Sequence, residues 1–198
     1  MIKKPWEDNE ALQTQEYMWI PQYLMDRGIP FSYLKKPSEE KEKQVEHICE
    51  RLLGSRNFIL LTSNKPVYVR ELYYILAGVW LMTTSKGFEV INPLDLDFNS
   101  FDFSEKVRRL KSVDLLMIPY VDPSDYSLRK IKTAMSDIIG SRKISKKPTL
   151  TDLYIKQEAT SEKIKDNMPN LASVFGEHSI PMFLERDSNS KIIKIKGK

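Results

Sequence analysis

The chain has 198 residues, 41% of them hydrophobic and 29% charged, and a net charge of +4. That length suits one domain able to bury its own core, and no run approaches the roughly 18 apolar residues of a membrane helix. The single cysteine, Cys49, excludes an internal disulfide and a multi-cysteine zinc site.

Residues 1–37 are rich in aromatics and prolines, end in IPFSYLKKP and show little periodicity. They read as a wrapping N-terminal arm with a short helix near 14–26. Lys3 and Lys4 have no apolar segment behind them, so no secretory signal is expected and a cytoplasmic protein is the simplest reading. Residues 38–198 read as a single α/β domain. Ser38 opens a helix whose first turn carries Glu39 and Glu40, matched to the helix dipole. Val45, Ile48, Cys49, Leu52 and Leu53 form its buried stripe, and Gly54 stops it. Cys49 on that stripe reads as inert core.

Phe58–Leu61 is short and wholly apolar, which predicts a central strand covered on both faces. A helix over about 68–84 buries Val69, Leu72, Leu76 and Trp80, with Gly87 after its end. A strand at 88–91 leads into an acidic, Phe-rich loop with Asp95, Asp97 and Asp102. That loop reads either as a partner-docking segment or as an ordinary loop pinned by Phe98, Phe101 and Phe103. A short helix over 103–111 precedes a second buried strand, VDLLMI at 113–118. A helix near 125–139 presents Leu128, Ile131, Met135, Ile138 and Ile139 on one face. Gly140 and a basic turn lead to a strand around 148–155. A helix from about 160, kinked at Pro169, a strand at 180–186 and a last strand KIIKI complete the pattern. Alternating strands and helices predict a mainly parallel sheet flanked by helices with right-handed crossovers.

The stretch FILLTSNKPVYVREL at 58–72 has the strand–loop–helix context of a P-loop without its glycines, lysine and Ser/Thr. With GIPFSYL at 28–34, KSVDLLMIPYVD at 111–122, DYSLRKIKTAMSDIIGSRKISKKPTL at 125–150 and SEKIKDNMPNL at 161–171, it resembles the AAA+ ATPase domain of the DnaC/DnaI helicase-loader family. That family includes the IstB transposition ATPases. The resemblance runs from about residue 28 to 187 and implies an AAA+ (P-loop NTPase-like) core with degenerate Walker motifs. Carried across, Tyr68 stands where the Walker A lysine would grip phosphates, and Val69 replaces the Mg²⁺-ligating hydroxyl. Pro119 and Tyr120 replace the two Walker B acids. Tyr154 falls near the sensor-1 asparagine, Lys163 near the arginine finger and Asn167 near the sensor-2 arginine. Pro66 lacks a donor and Val67 resists positive φ, so both hinder a backbone cradle. Phosphoryl transfer rests on positioning and electrostatics from such groups, so neither ATPase activity nor a nucleotide cofactor is expected. Asn64, Lys65, Tyr68, Val69, Pro119 and Tyr120 therefore mark a degenerate nucleotide site. Lys65 and Arg70 either meet an anion at the helix N-terminus or are simply solvated.

The resemblance implies a protein of a DNA replication system that acts by binding a replicative helicase, an active AAA+ loader or initiator, or copies of itself. A phage or mobile-element origin fits such degeneration. The DnaI-type zinc module cannot be present with one cysteine. Trp6, Tyr17, Trp19 and Tyr23 in the arm would suit an interface anchor, or could pack on the domain's own sheet. The alternative is a DNA-binding accessory protein using Arg142, Lys143, Lys146, Lys147 and the lysine-rich tail, although charge runs are often solvated loops. Enzyme chemistry of another kind has no support: His47 and His178 have no partner at metal spacing, and no G-x-S-x-G is present. Neither a metal nor a membrane partner is expected.

Overall fold

The computed structural model describes residues 1–7, 11–54, 58–63, 66–97, 99–121, 128–154 and 179–183. Among the described residues, five α-helices, α1 (Ile20–Met25), α2 (Glu39–Leu53), α3 (Pro66–Thr84), α4 (Phe103–Ser112) and α5 (Leu128–Ile144), surround five strands. The strands are β1 (Phe58–Ser63), β2 (Phe88–Val90), β3 (Leu115–Val121), β4 (Thr149–Tyr154) and β5 (Ser179–Phe183). Their order is β2-β3-β4-β1-β5, and every described pairing is parallel, as expected from the sequence. The expected helix from about 160 and the strand KIIKI lie outside the described residues.

Strand order explains the layering. The β1→β2 connection runs across the places of β4 and β3, whereas β2→β3 and β3→β4 step back the other way. Right-handed crossovers in opposite directions put their helices on opposite faces. Accordingly α3 packs with α1 and α2 over Ile59, Leu61, Leu115, Met117 and Leu150. Leu110, Met135, Ile138 and Ile139 of α4 and α5 cover Phe58, Leu116, Ile118 and Val121 on the other face. From Leu115 to Ile118 the side chains alternate between the two cores, as a pleated strand requires, and Val121 returns to the face of Leu116 and Ile118.

α3 is buried nearly all round: Tyr73, Ile75, Ala77, Val79, Leu81 and Met82 join the expected Val69, Leu72, Leu76 and Trp80. A helix apolar on every side needs cover on the face away from the sheet. The arm supplies it. Tyr17, Ile20, Leu24, Ile29 and Leu34 belong to the same core as α2 and α3. Gly78 permits the closest approach, since a Cβ there would lie 2.8 Å from Leu34 Cδ2 and 3.3 Å from Pro5 Cγ. Gly28, with φ +69°, closes α1 by a Schellman motif: Ile29 N–H donates to Leu24 O and Gly28 N–H to Met25 O, both at 2.9 Å. The buried pair Leu24 and Ile29 is the apolar contact that accompanies that motif.

Two sequence expectations need correction. Leu53 is exposed: the last residue of α2, it stands at the edge of the stripe, one position past the buried Leu52. The helix expected to end at 139 runs through Gly140 to Ile144. The reason is Arg142, fully buried on the same stripe as Met135, Ile138 and Ile139. Its guanidinium donates from Nε to Thr149 Oγ1 at 2.9 Å, and from Nη1 to Leu110 O at 2.9 Å and Val113 O at 2.7 Å. Nη2 reaches Pro148 O at 2.5 Å and Asp114 O at 3.4 Å. One side chain thus satisfies the end of α4, the entry to β3 and the entry to β4. Burial lowers its pKa to about 10, opposed by Asp114, so it remains charged at neutral pH.

After Arg142 the helix closes in a second Schellman motif, with Lys147 N–H on Arg142 O at 2.9 Å and Lys146 N–H on Lys143 O at 3.1 Å. Lys146 occupies the left-handed position at φ +51°, where glycine is usual. Lys146→Gly is therefore expected to raise stability by about 1 kcal/mol in urea unfolding. Arg142→Met is expected to lower it by about 3 kcal/mol, because several buried carbonyls lose their donor.

Candidate functional site

In open α/β sheets, ligands bind outside the carboxyl ends of the strands where the crossovers diverge. Here that point lies beside β1, which pairs with β4 on one side and β5 on the other. Asn64 and Lys65 lie outside the described residues. α3 begins at Pro66, a first-turn residue without an N–H. Val67 and Arg70 are exposed.

Tyr68 does not face the carboxyl edge as a phosphate ligand would. Its hydroxyl donates to Gln44 Oε1 on α2 at 3.0 Å, and the Lys41 ammonium lies 5.0 Å from its ring centroid. Lys41 also pairs with Glu71, so this polar group ties α2 to α3. Val69 is 2% exposed and packs in the core, with no group to offer a metal.

The end of β3 is irregular. Ile118 pairs with Thr151, but Val121 pairs with Leu153, so three steps on β3 match two on β4. The extra residue falls at Pro119-Tyr120. Proline cannot donate to a ladder and is confined to edges and bulges, which accounts for the irregularity. The Ile118 carbonyl instead accepts from Thr151 Oγ1 at 3.0 Å and from the Tyr73 hydroxyl at 3.5 Å.

Beneath this bulge lies a pair that the motif argument passed over. Asp152 on β4 is 2% exposed, and the Tyr73 hydroxyl also bonds to its carboxylate. Burial and then the Asp152 charge hold the Tyr73 hydroxyl well above the usual tyrosine range. The pair joins α3 to β4 within the core. The sequence signal was present: an aspartate interrupts the expected strand TLTDLY, and a buried carboxylate requires a partner. Tyr154 ends β4, while Lys163 and Asn167 lie outside the described residues. Among the described residues no group of His, Cys, Asp or Glu could hold a metal ion.

The residues expected to contact DNA in the alternative reading separate. Arg142, inside its carbonyl cage, is removed from any surface, which corrects its expected role. Lys143 is half-buried and Lys146 exposed, and Lys147 Nζ donates to Ser112 O. The lysine-rich tail lies outside the described residues.

The aromatic residues of the arm divide in the same way. Tyr17 is buried, which corrects its expected place at an interface. Trp6 Nε1 donates to Glu42 at 3.2 Å. Tyr23 meets Trp19 and Phe88 edge-on at centroid distances of 5.4 and 5.7 Å, under the Arg27 guanidinium. Of the two readings open for these rings, packing on their own domain accounts for Tyr17, Trp6 and Tyr23; Trp19 retains exposed surface.

No helix among the described residues is long and apolar enough to cross a membrane. No protein-family model matches the chain, and no curated protein matches it. Solved structures do. DnaI matches over 75% of this chain and 87% of its own, with 12% identity and a TM-score of 0.55. The DnaC helicase loader matches over 75% and 92%, with 12% identity and a TM-score of 0.56. A putative primosome component from Streptococcus pyogenes serotype M3 matches over 79% and 89%, with 11% identity and a TM-score of 0.51.

Lys4 anchors the arm to α2. Its ammonium lies 2.9 Å from Glu42 and 3.0 Å from both Glu46 and Glu7. The Glu42 bond dominates, raising the Lys4 pKa and lowering that of Glu42 against the cost of burial. A depressed carboxylate stabilises the fold above its unfolded pKa, and that contribution is lost as pH falls through the folded value. Lys4→Met is expected to lower Tm at pH 7 by a few degrees, on the order of 1 kcal/mol. Melting curves of the two proteins should converge near pH 3. At 11–12% identity the likeness to the three solved structures is one of fold, and this chain shares the fold of DnaI and the DnaC helicase loader.

Proposed function

We propose that this chain is a catalytically inactive, helicase-loader-like protein of a DNA replication system. It acts in the cytoplasm by binding a replicative helicase, an active loader or an initiator. A phage or mobile element is the source that best suits a loader fold stripped of its chemistry. The fold shared with DnaI and the DnaC helicase loader supports the replication role. The observation that carries the inactivity is the fate of two adjacent residues. Val69 is core, and Tyr68 is bonded to Gln44, so the positions that would hold phosphate and Mg²⁺ serve the packing of α3. The bulge at Pro119-Tyr120 supports the same reading, because neither residue supplies a carboxylate.

Thermal shift tests this directly. A site with a Kd of ~10 μM would stabilise the fold by about 2.7 kcal/mol at 1 mM ATP, which is on the order of 5–10 °C in a protein of this size. The expected shift with 1 mM ATP or ADP and Mg²⁺ is under ~1 °C. A shift of several degrees would overturn the inactive-site reading. The binding role is checked by co-purification with a replicative helicase, which is expected to be independent of nucleotide.

A further inference from the structure

Residues 2–6 are attached differently from the rest of the arm. Tyr17, Ile20, Leu24, Ile29 and Leu34 are buried apolar side chains of the core. In residues 2–6 only Pro5 is buried, and of Glu7 and residues 12–16 none is. This short strap crosses α3 and ends on α2, with a separate partner for each residue from Lys3 to Trp6. Thr83 Oγ1 accepts from Lys3 N–H at 3.0 Å and donates to Lys3 O at 3.3 Å. The Lys4 ammonium meets Glu42 and Glu46 of α2 at 2.9 and 3.0 Å. Pro5 lies over Gly78, where an added Cβ would come within 3.3 Å of Pro5 Cγ. Trp6 Nε1 donates to Glu42 Oε1 at 3.2 Å. The Lys3 ammonium points back to the arm, donating to the Tyr17 hydroxyl near Glu16.

The strap is also shaped in advance. Glu7 N–H donates to Lys4 O at 3.1 Å, closing a β-turn with Pro5 at its second position, and the Lys4–Glu7 ion pair at 3.0 Å spans the same turn. Main-chain bonds combined with separate places for individual side chains are how proteins read a linear peptide. A turn preset by proline enters such a seat at little cost in ordering. The bonds that hold it are mostly polar, and each is worth little against water. Residues 2–6 can therefore leave while the apolar part of the arm stays packed.

We propose that Thr83, Gly78, Glu42 and Glu46 form a peptide-recognition site that the strap occupies in cis, and that a partner protein enters it by displacing the strap. The strap itself defines the segment that fits: a cation for the two carboxylates, a proline for the space over Gly78, and a tryptophan whose N–H reaches Glu42. This site goes beyond the proposed function and does not rest on it, because a synthetic peptide is the probe.

The test is fluorescence anisotropy of a labelled peptide of residues 1–7, MIKKPWE, titrated into full-length chains. One chain is wild type, and the other carries Lys4→Ala, Pro5→Gly and Trp6→Ala, which empty the seat. The peptide is expected to bind the triple variant at least ~10-fold more tightly than wild type, where the tethered strap competes at an effective concentration of ~1 mM. Peptides carrying Lys4→Glu or Pro5→Ala are expected to bind the triple variant at least ~10-fold more weakly, as is the unaltered peptide when Glu42→Gln and Glu46→Gln are added to that chain. Wild type supplies a second measurement that needs no variant. Its Lys3 amide is expected to exchange hydrogen at least ~10-fold faster than that of the buried Leu24, through local opening. Failure of the peptide to bind the triple variant by ~1 mM, equal binding by the two chains, or indifference to the peptide's sequence would each overturn the proposal. So would a Lys3 amide protected as strongly as that of Leu24, or a wild type that sediments as a dimer by exchanging straps between copies.

Discussion

The buried guanidinium of Arg142 is the interaction on which this α/β frame most depends. Backbone carbonyls at a helix end have no intrahelical partner, and inside a protein they need a donor. Arg142 supplies its donors to the end of α4, the start of β3 and the start of β4, which are three places where the chain turns at the amino edge of the sheet. A lysine could not do this, since it lacks the planar fork that reaches several carbonyls at fixed angles. The cage sets the spacing of β3 and β4, and with it the geometry at their far ends.

Those far ends are where a nucleotide-binding protein places its chemistry, and here each position has another use. Val69 is core, Tyr68 joins α3 to α2, and Pro119 bends β3 out of register. The Ile118 carbonyl is taken up by Thr151 and Tyr73, and Tyr73 also holds the buried Asp152. A polar group inside a low-dielectric sheet costs several kcal/mol unless it is paired. The Tyr73–Asp152 pair joins α3 to β4 inside the core.

The arm shows how one sequence feature serves a different purpose once the fold is formed. Its aromatics suggested a surface for a partner, but α3 is apolar on all sides and needs cover. Tyr17, Ile20, Leu24 and Leu34 provide it, with Lys4 and Trp6 securing the segment to Glu42.

Periodicity alone was sufficient for the class of fold. The stripes of α2 and α5, the apolar runs of β1 and β3, and their alternation required a parallel sheet between helices, because hydrophobic burial is read locally. The Pro119-Tyr120 dipeptide near the end of β3 and the lack of a G-x-x-x-x-G-K-[ST] pattern after β1 were equally legible, since residue identity is local. Tertiary structure decided what distance along the chain conceals. Arg142 looked like part of a basic turn, yet it continues the stripe of Met135, Ile138 and Ile139 into a cage made by residues 110–114 and 148–149. Tyr17 and Asp152 likewise became interior only through partners on other elements, Tyr17 in the core built with α2 and α3 and Asp152 through Tyr73. A polar or aromatic side chain carries no local mark of the donor, acceptor or surface that will meet it; that is settled when the layers pack.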